Sequence, residues 1–447
     1  MNKEEILLII KSDLVSLSKQ KILLSDMNTA DIAEILEELD KEKIIRIFRL
    51  LPKVVASDVF AYIDSDYQQV IVEALTDTEI GEIMGKLFVD DTVDFIEEMP
   101  ANVVNRVLKN IPVEKRKVIN QILQYPDDSA GSIMTVEYVG LSEDAKVREA
   151  FDTIRITGLN KETIYTCYVT RTDRLLVGVI SAKTLMLARP FERIGDIMDT
   201  NLIFAYTTDD QEIIAEQFQK YSLLAMPVVD KERRLVGIIT VDDIVDVIVE
   251  ENTEDIERMG GLAPSDEPYL KTGIFRLARN RIIWLLVLML SATITGLIIS
   301  NYEARMVALP ILMVFIPLLM DTGGNAGSQS STLIIRGMAV GEIKPKDIFR
   351  ILWKEARIAF VCGIGLGFIN FIWVYVIYGQ NLLLGAAVTT TLFSTLLIAK
   401  ILGCILPVAA KQIRIDPAVM ATPLITTICD ALSLVIYFTV AKMILGL

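Results

Sequence analysis

The sequence predicts a multidomain protein: an all-α N-terminal superhelical domain, an α/β tandem pair, a connecting helix and an α-helical transmembrane domain of five spans. Three observations carry this expectation. The 447 residues divide by charge: residues 1–268 hold 51 acids and 29 bases, a balance of −22, and residues 269–447 hold 7 acids and 15 bases, a balance of +8. An acidic half joined to a basic, apolar half calls for different solvents and separate domains. Two internal repeats of different character follow one another in the acidic half. The basic half contains five apolar stretches close to the ~20 residues that a bilayer core demands.

In chain order, residues 1–128 read as short amphipathic helices. Asp31-IAEILEEL and Asp91-TVDFIEEM are near copies, each followed by an apolar helix and a proline, Pro52 and Pro112. Such repetition fits a small superhelix whose surface serves docking. Asp58, Asp90 and Asp94 are its acids of interest, and the spacing of Asp90 and Asp94 puts them on one helix face.

Residues 129–249 carry the second repeat. Ser132-Ile133-Met134 recurs as Asp196-Ile197-Met198, and Leu176-Val-Gly-Val-Ile180 recurs as Leu235-Val-Gly-Ile-Ile239. Each Val-Gly strand runs into a polar residue and a helix, Ser181-AKTLM in one copy and Thr240-VDDIV in the other. These pieces resemble a tandem pair of CBS domains. The resemblance implies a cleft for an adenosine nucleotide such as ATP, with Thr240 and Asp243 at the ribose position. A purely structural pair is the other reading.

The connecting segment, 250–270, continues an acidic run: between Thr240 and Pro268 there are ten acids and one base, Arg258. Ile244, Val247, Ile248 and Val249 give the run a helical pattern to about Met259, where Gly260 and Gly261 stop it. Such a run is either a solvated face or, between an acidic domain and a membrane, a set of carboxylates bridged by cations.

The transmembrane domain, 271–447, has spans at roughly 280–300, 307–335, 356–378, 383–409 and 418–445, each set against the ~20 residues a bilayer requires. Bases cluster before the first span, between the second and third, and between the fourth and fifth; the remaining loops offer Arg305 and Lys442. Positive-inside bias places the N-terminus in the cytosol and the C-terminus outside. Gly363, Gly365 and Gly367 read as a packing face, and Lys400 as a side chain that snorkels to the cytosolic side.

The second span is the unusual one. Pro310 and Pro317 are followed by Asp321, Gly323, Gly324, Asn325 and Gly327 before the apolar residues resume. A helix broken there survives only in protein or beside water, and its freed carbonyls, with Asn325, Ser328 and Gln329, would give oxygen ligands of the kind transporters use. A bent helix packed through its glycines is the alternative. In the last span, Thr422, Thr426, Asp430, Ser433 and Tyr437 follow helical spacing along one stripe. A carboxylate as deep as Asp430 costs at least ~3 kcal/mol unless paired or wet, so it marks function. Asp321 either caps a helix or joins it.

Composition also excludes classes of chemistry. The chain has no histidine, which removes the usual zinc and copper ligands and the usual acid–base catalyst. Cys167, Cys362, Cys404 and Cys429 are scattered and read as reduced, small apolar residues. The acidic balance speaks against a nucleic-acid partner. The start, MNKEEILLIIKSD, is no signal peptide, so the soluble half is expected to stay in the cytosol. An intramembrane enzyme would need a nucleophile–base pair or a metal dyad that the spans lack. What remains is a site of carboxylates, amides, hydroxyls and carbonyls, which suits Mg²⁺, Ca²⁺ or Mn²⁺. With so few carboxylates, Mg²⁺ would be held through its hydration shell.

With PLLMDTGGNAGSQSSTLIIR and DPAVMATPLITTICD in place, the whole chain resembles the MgtE family of magnesium transporters. That resemblance implies a homodimer in a bacterial inner (plasma) membrane, with one pore between subunits and contacts to membrane lipid. Asp430 matches the ion-binding aspartate, with Asn325, Gly323, Gly324, Ser328 and Thr426 around the pore. It also implies that cytosolic Mg²⁺ binds acids of the soluble domains and closes the pore; by position these are Asp58, Asp90, Asp94, Asp210, Glu212, Asp243, Asp246, Glu251, Glu254 and Asp255. Thr422 and Ser328 stand where an asparagine can occur, and Ser222 where an acid can occur. A transporter of another divalent cation (Mn²⁺ or Co²⁺) and a CBS-regulated membrane sensor that transports nothing are the rival readings.

Overall fold

The computed structural model describes residues 3–12, 16–265, 269–302, 309–378, 381–420 and 422–446, the side chain of Thr422 excepted. Arg305, Pro268 and the first residues of the expected second span therefore lie outside the described residues. The chain separates into two compact units, Met1–Ile248 and Val249–Leu447.

The first unit opens with ten short helices: α1 Lys3–Ser12, α2 Leu17–Ser25, α3 Thr29–Glu37, α4 Lys41–Phe48, α5 Lys53–Tyr62, α6 Ser65–Ala74, α7 Asp77–Met84, α8 Val89–Glu98, α9 Ala101–Asn110 and α10 Val113–Ile122. Their starts are written locally. Asn28, Asp40 and Asp64 accept hydrogen bonds from first-turn amides, and Thr76 forms a capping box with Glu79, satisfying amides that have no partner inside the helix. Pro52, Pro100 and Pro112 precede α5, α9 and α10. Apolar stripes of alternate helices meet in one core, where Phe60 packs edge-on against Phe48 and Phe95 at centroid distances of 6.2 and 5.3 Å. The two near copies form α3 and α8.

The α/β repeat follows: β1 Gly140–Ser142, α11 Val147–Thr157, β2 Thr166–Thr170, β3 Leu176–Ser181, α12 Ala182–Leu187 and α13 Ile194–Ile197, then β4 Ala205–Tyr206, α14 Gln211–Tyr221, β5 Ala225–Val229, β6 Leu235–Thr240 and α15 Val241–Met259. Each copy makes a three-stranded sheet, β1-β2-β3 and β4-β5-β6, with a parallel then an antiparallel pair and an irregularity at the matching place, Val169/Thr170 and Val228/Val229. The repeated residues interlock the copies. A Cβ at Gly237 would lie 2.7 Å from Met134 Sδ and 2.7 Å from the Thr135 carbonyl oxygen, and one at Gly178 would lie 2.8 Å from Met198 Cγ. The methionine of the first Ile-Met pair thus seats on the strand glycine of the second copy, and that of the second pair on the first. Bridges Thr135–Ile238 and Val179–Asp199 run beside these contacts.

Among the described residues, the second unit holds the end of α15 and five long helices: α16 Ile274–Asn301, α17 Leu312–Ala339, α18 Ile348–Ile377, α19 Leu382–Gln412 and α20 Thr422–Leu445. Four of the five, all except α17, are long and apolar enough to cross a membrane by length and composition. α17 carries Asp321, Asn325, Gln329 and Arg336 between its apolar ends.

Two expectations are corrected here. α17 is not broken: it runs unbroken through Pro317 and the glycines. The glycines serve close packing with α19 and α20 instead. A Cβ at Gly323 would sit 2.7 Å from Ser433 Oγ and from Thr395 Cγ2, one at Gly324 3.1 Å from Thr426 Cγ2, and one at Gly327 2.6 Å from Ile425 Cγ2. Small residues allow backbones to approach where lipid gives no hydrophobic drive. Lys400 does not snorkel either. It is 6% exposed, with Nζ 3.5 Å from Glu355 Oε2 and 3.2 Å from Ser330 Oγ, which itself donates to Glu355 at 2.8 Å. A buried cation is tolerated when a carboxylate and a hydroxyl answer it, and this partner comes from α18, 45 positions away in sequence.

Candidate functional site

In the membrane unit, α17 and α20 enclose a cleft of about 410 Å³ lined by Ile316, Pro317, Met320, Asp321, Gly324, Asn325, Thr426 and Asp430. Pro317 and Gly324 sit about two turns apart on α17 and give the wall little bulk; Asp321 and Asn325 are exposed and Asp430 is half-buried. Thr426 donates its hydroxyl to the Pro423 carbonyl at 3.0 Å, leaving the oxygen's lone pairs available. Asp430 lies eight residues into α20, about 12 Å along its axis at 1.5 Å per residue. Among the described residues there is no group of three or more His, Cys, Asp or Glu side chains poised to strip and hold a metal. Two carboxylates, an amide and a hydroxyl fit an ion that keeps its water.

The expected pore residues divide. Asp430, Asn325, Gly324 and Thr426 line the cleft, and Asp321, whose role the sequence leaves open, joins them. Gly323 is packed under Ser433 and Thr395, away from the cleft. Ser328 is not in the lining, and its buried Oγ has no hydrogen-bond partner among the described residues. The last-span stripe splits in the same way. Ser433 and Tyr437 are buried, Ser433 donating to the Cys429 carbonyl and Tyr437 to the Leu312 carbonyl at 2.9 Å. They anchor α20; among the described side chains of the stripe, Thr426 and Asp430 line the cleft, and the Thr422 side chain lies outside the described residues.

A second cluster sits in the first unit and draws on α8, the start of α15 and the loop before β2. Asp90 is 8% exposed, and burial raises its carboxyl well above the ordinary range, helped by Asp91 and Asp243. Burial, then Asp243, raises Asp91 to about 6; burial, then Asp242, raises Asp243 to about 6 against a 2.7 Å hydrogen bond from the Thr240 hydroxyl. Glu162 is pushed to about 8 by burial and by Asp242, Asp91 and Asp243. Its buried Oε2 has no partner among the described residues. One cation enters this cluster. Lys115 donates to the carbonyls of Met84 at 2.7 Å, of Leu87 and of Phe88, and burial brings its amine down to about 8. Mutual repulsion between carboxylates disfavours their charged forms and adds to the effect of burial.

Sequence reasoning named Asp90 and Asp243 but missed Asp91, Glu162 and Lys115. Asp94 is exposed, so the shared face proposed for Asp90 and Asp94 has one buried and one exposed carboxylate. Asp58 is raised by burial against the opposing charge of Lys86. Asp210 spends one oxygen capping α14 through the Glu212 amide at 2.9 Å, and both it and Glu212 are exposed. Asp246 is raised by burial and by Asp242. Thr240 and Asp243, the expected ribose contacts, are bonded to each other. A separate cleft of about 400 Å³ opens in the first α/β copy beside Lys183, Thr184, Leu187 and Glu192.

Within the second unit, the end of α15 rests on the membrane helices. Arg258 pairs with both Glu254 and Asp416. Burial, then Asp416 and Glu251, raises Asp255 to about 6, with Lys411 opposing. Met259 packs on Ile335 and Ala418, and the Ala263 amide donates to the Asn280 carbonyl. Gly261, at φ +71°, turns the chain 3.0 Å (measured from an ideal Cβ) below Pro423. Asp416 and Arg258 were not singled out from sequence.

A polar cleft between long apolar helices, carried in one chain with an α/β repeat, defines the class as a multi-pass membrane protein with a candidate cation site. The comparisons make this specific. Residues 316–440 match the family model for a divalent cation transporter, residues 27–128 that of the MgtE intracellular N domain, and residues 194–250 that of the CBS domain. The magnesium transporter MgtE of Bacillus subtilis is 32% identical over 94% of this chain and 95% of its own. That of Thermus thermophilus is 33% identical over 95% and 94%. The chain belongs to the MgtE family of magnesium transporters. Among solved structures, the cytosolic domain of the Mg²⁺ channel MgtE in complex with ATP aligns with a TM-score of 0.50 and 32% identity, covering 52% of this chain and 95% of that one.

Proposed function

We propose that this chain forms a homodimeric pore that moves Mg²⁺ into the cytosol across the plasma membrane, and that cytosolic Mg²⁺ closes it. The observation that carries the reading is the cleft that gathers Asp321, Asn325, Thr426 and Asp430. Its two carboxylates attract a divalent cation, and its neutral oxygens can order the water around Mg²⁺ without demanding dehydration. All five long helices span the bilayer in this reading, α17 being sheltered by its neighbours, with the N-terminus cytosolic and the C-terminus outside.

Closure uses the two acidic clusters. Mg²⁺ at Asp90, Asp91, Glu162 and Asp243 holds residues 1–128 to the CBS pair of 129–249. Mg²⁺ near Glu251, Glu254, Asp255 and Asp416 holds the connecting segment, 250–270, on the pore helices of 271–447. Asp58, Asp94, Asp210, Glu212 and Asp246 add weaker attraction. These last five are exposed, and exposed oxygen sites bind at roughly 10⁻⁴–10⁻³ M, as loose oxygen-ligand modules do. Several suffice, since moving a two-state balance from 1:99 to 99:1 takes ~5.5 kcal/mol of differential binding. The solved cytosolic domain of the Mg²⁺ channel MgtE is in complex with ATP, and the CBS pair is the proposed ATP site here.

The test is flux into liposomes that contain only the purified protein. Mg²⁺ uptake that falls when millimolar Mg²⁺ bathes the soluble face supports the proposal. The variant neutral at Asp243, Asp246, Glu251, Glu254 and Asp255 should conduct without closing. Absence of any divalent flux would favour a sensor that transports nothing, and flux of Mn²⁺ or Co²⁺ without Mg²⁺ would reassign the cargo.

A further inference from the structure

The N-terminal half of α18 presents a stripe that the transport reading leaves unused. Phe349, Arg350, Trp353, Lys354 and Arg357 are all exposed, Phe349 by 83% and Trp353 by 66%, and they recur at helical spacing. Between Ile348 and Cys362 the sequence has a single acid, Glu355. That acid is turned inward, buried and spent on Lys400 and Ser330. The stripe therefore shows three cations with no carboxylate among them.

Its arrangement is specific. The Arg357 guanidinium lies 5.8 Å from the Trp353 ring centroid, and its Nε donates to the Trp353 carbonyl at 3.3 Å. Beside it, Lys354 and Arg357 form the head of a cleft of about 300 Å³ whose remaining lining is Ile358, Val361 and Cys362. Cations at one end and aliphatic side chains at the other match a ligand with an anionic head and an apolar tail. The indole of Trp353 is the group that settles at headgroup depth, and basic pockets at that depth bind acidic headgroups. A free phosphate would use the cations but leave the apolar lining wet.

We propose that this stripe is a binding site for an anionic phospholipid, its phosphate held by Arg350, Lys354 and Arg357 and its upper acyl chain lying over Ile358 and Val361. The chain has three tryptophans, so a Trp284→Phe/Trp373→Phe background makes Trp353 its own reporter. The full chain is reconstituted in phosphatidylcholine vesicles containing either brominated phosphatidylglycerol or brominated phosphatidylcholine, and quenching of Trp353 gives the relative occupancy. Phosphatidylglycerol should be preferred at least about fivefold, the ratio that one basic residue near an acidic surface supplies. The preference should vanish in Arg350→Gln/Lys354→Gln/Arg357→Gln and survive in Arg350→Lys/Arg357→Lys, which keeps the charge with the same exposed helix. Equal quenching by the two lipids, or a preference that persists in the glutamine variant, overturns the proposal; equal quenching is also the outcome if another protein surface covers the stripe.

Discussion

Lys400 and Glu355 show what a single buried pair does in a membrane helix bundle. With Ser330 they tie α17, α18 and α19 together behind the cleft wall. Removing one partner leaves the other charge uncompensated, so Glu355→Gln should cost ~3–5 kcal/mol, whereas replacing both by methionine should cost far less. Thermal unfolding in detergent measures this; an equal loss in both variants would mean the pair is not what stabilises the bundle. Gly327 makes the complementary point through size. A methyl there would press on Ile425 Cγ2 at 2.6 Å and on the Ala399 carbonyl oxygen at 3.2 Å, and Gly327→Ala should destabilise by ~1–3 kcal/mol. Gly365, with nothing within 4 Å of an added Cβ, should tolerate alanine. The sequence showed that these glycines matter but not how. Composition alone cannot separate a broken helix from a closely packed one, because the deciding contacts come from α19 and α20. Lys400 was misplaced for the same reason: its partner is not local.

Among the elements, α15 was the most legible. Its apolar positions and Gly260-Gly261 marked a helix ending at Met259, and the helix runs Val241–Met259. Its acidic neighbours were only partly legible. Glu162 sits in a loop, 71 positions from Asp91, and no local pattern announces that a fold will bring them together. Their titration yields a test with a definite sign. Asp91 and Asp243 titrate near 6 and Glu162 near 8 in the folded cluster, above the ordinary carboxylate values of about 4. The folded arrangement thus holds protons that an opened one releases. Its penalty is absent below pH ~4, grows as pH rises through 6, and is complete above about 8. Without Mg²⁺, amide-exchange protection of α8 and the start of α15 should therefore fall between pH 5.5 and 8. Millimolar Mg²⁺ should restore it at pH 8 and act weakly at pH 5.5, where protons compete. Protection that rises with pH in the absence of Mg²⁺ would contradict the cluster's role.

At the scale of the molecule, the sequence carried the architecture because it repeats itself and because its two halves want different solvents. The helical repeat, the paired α/β copies and the long apolar helices all follow from periodicity. The exchange that seats Met134 on Gly237 and Met198 on Gly178 was visible only as two unexplained recurrences. The candidate site was half legible: Asp430 stood out by depth, while its companion Asp321 and the dismissal of Ser433 and Tyr437 needed the packing of α17 against α20. In the proposed function, the Asp430 carboxylate concentrates Mg²⁺ in this cleft. Single-channel recording of Asp430→Asn in defined Mg²⁺, with the variant's fold confirmed by an unchanged elution profile, tests it most directly. The substitution keeps the size and removes the charge, so Mg²⁺ conductance should be lost or fall by an order of magnitude or more, as expected for removing an intramembrane charge on an ion path. Wild-type Mg²⁺ conductance from Asp430→Asn would contradict it.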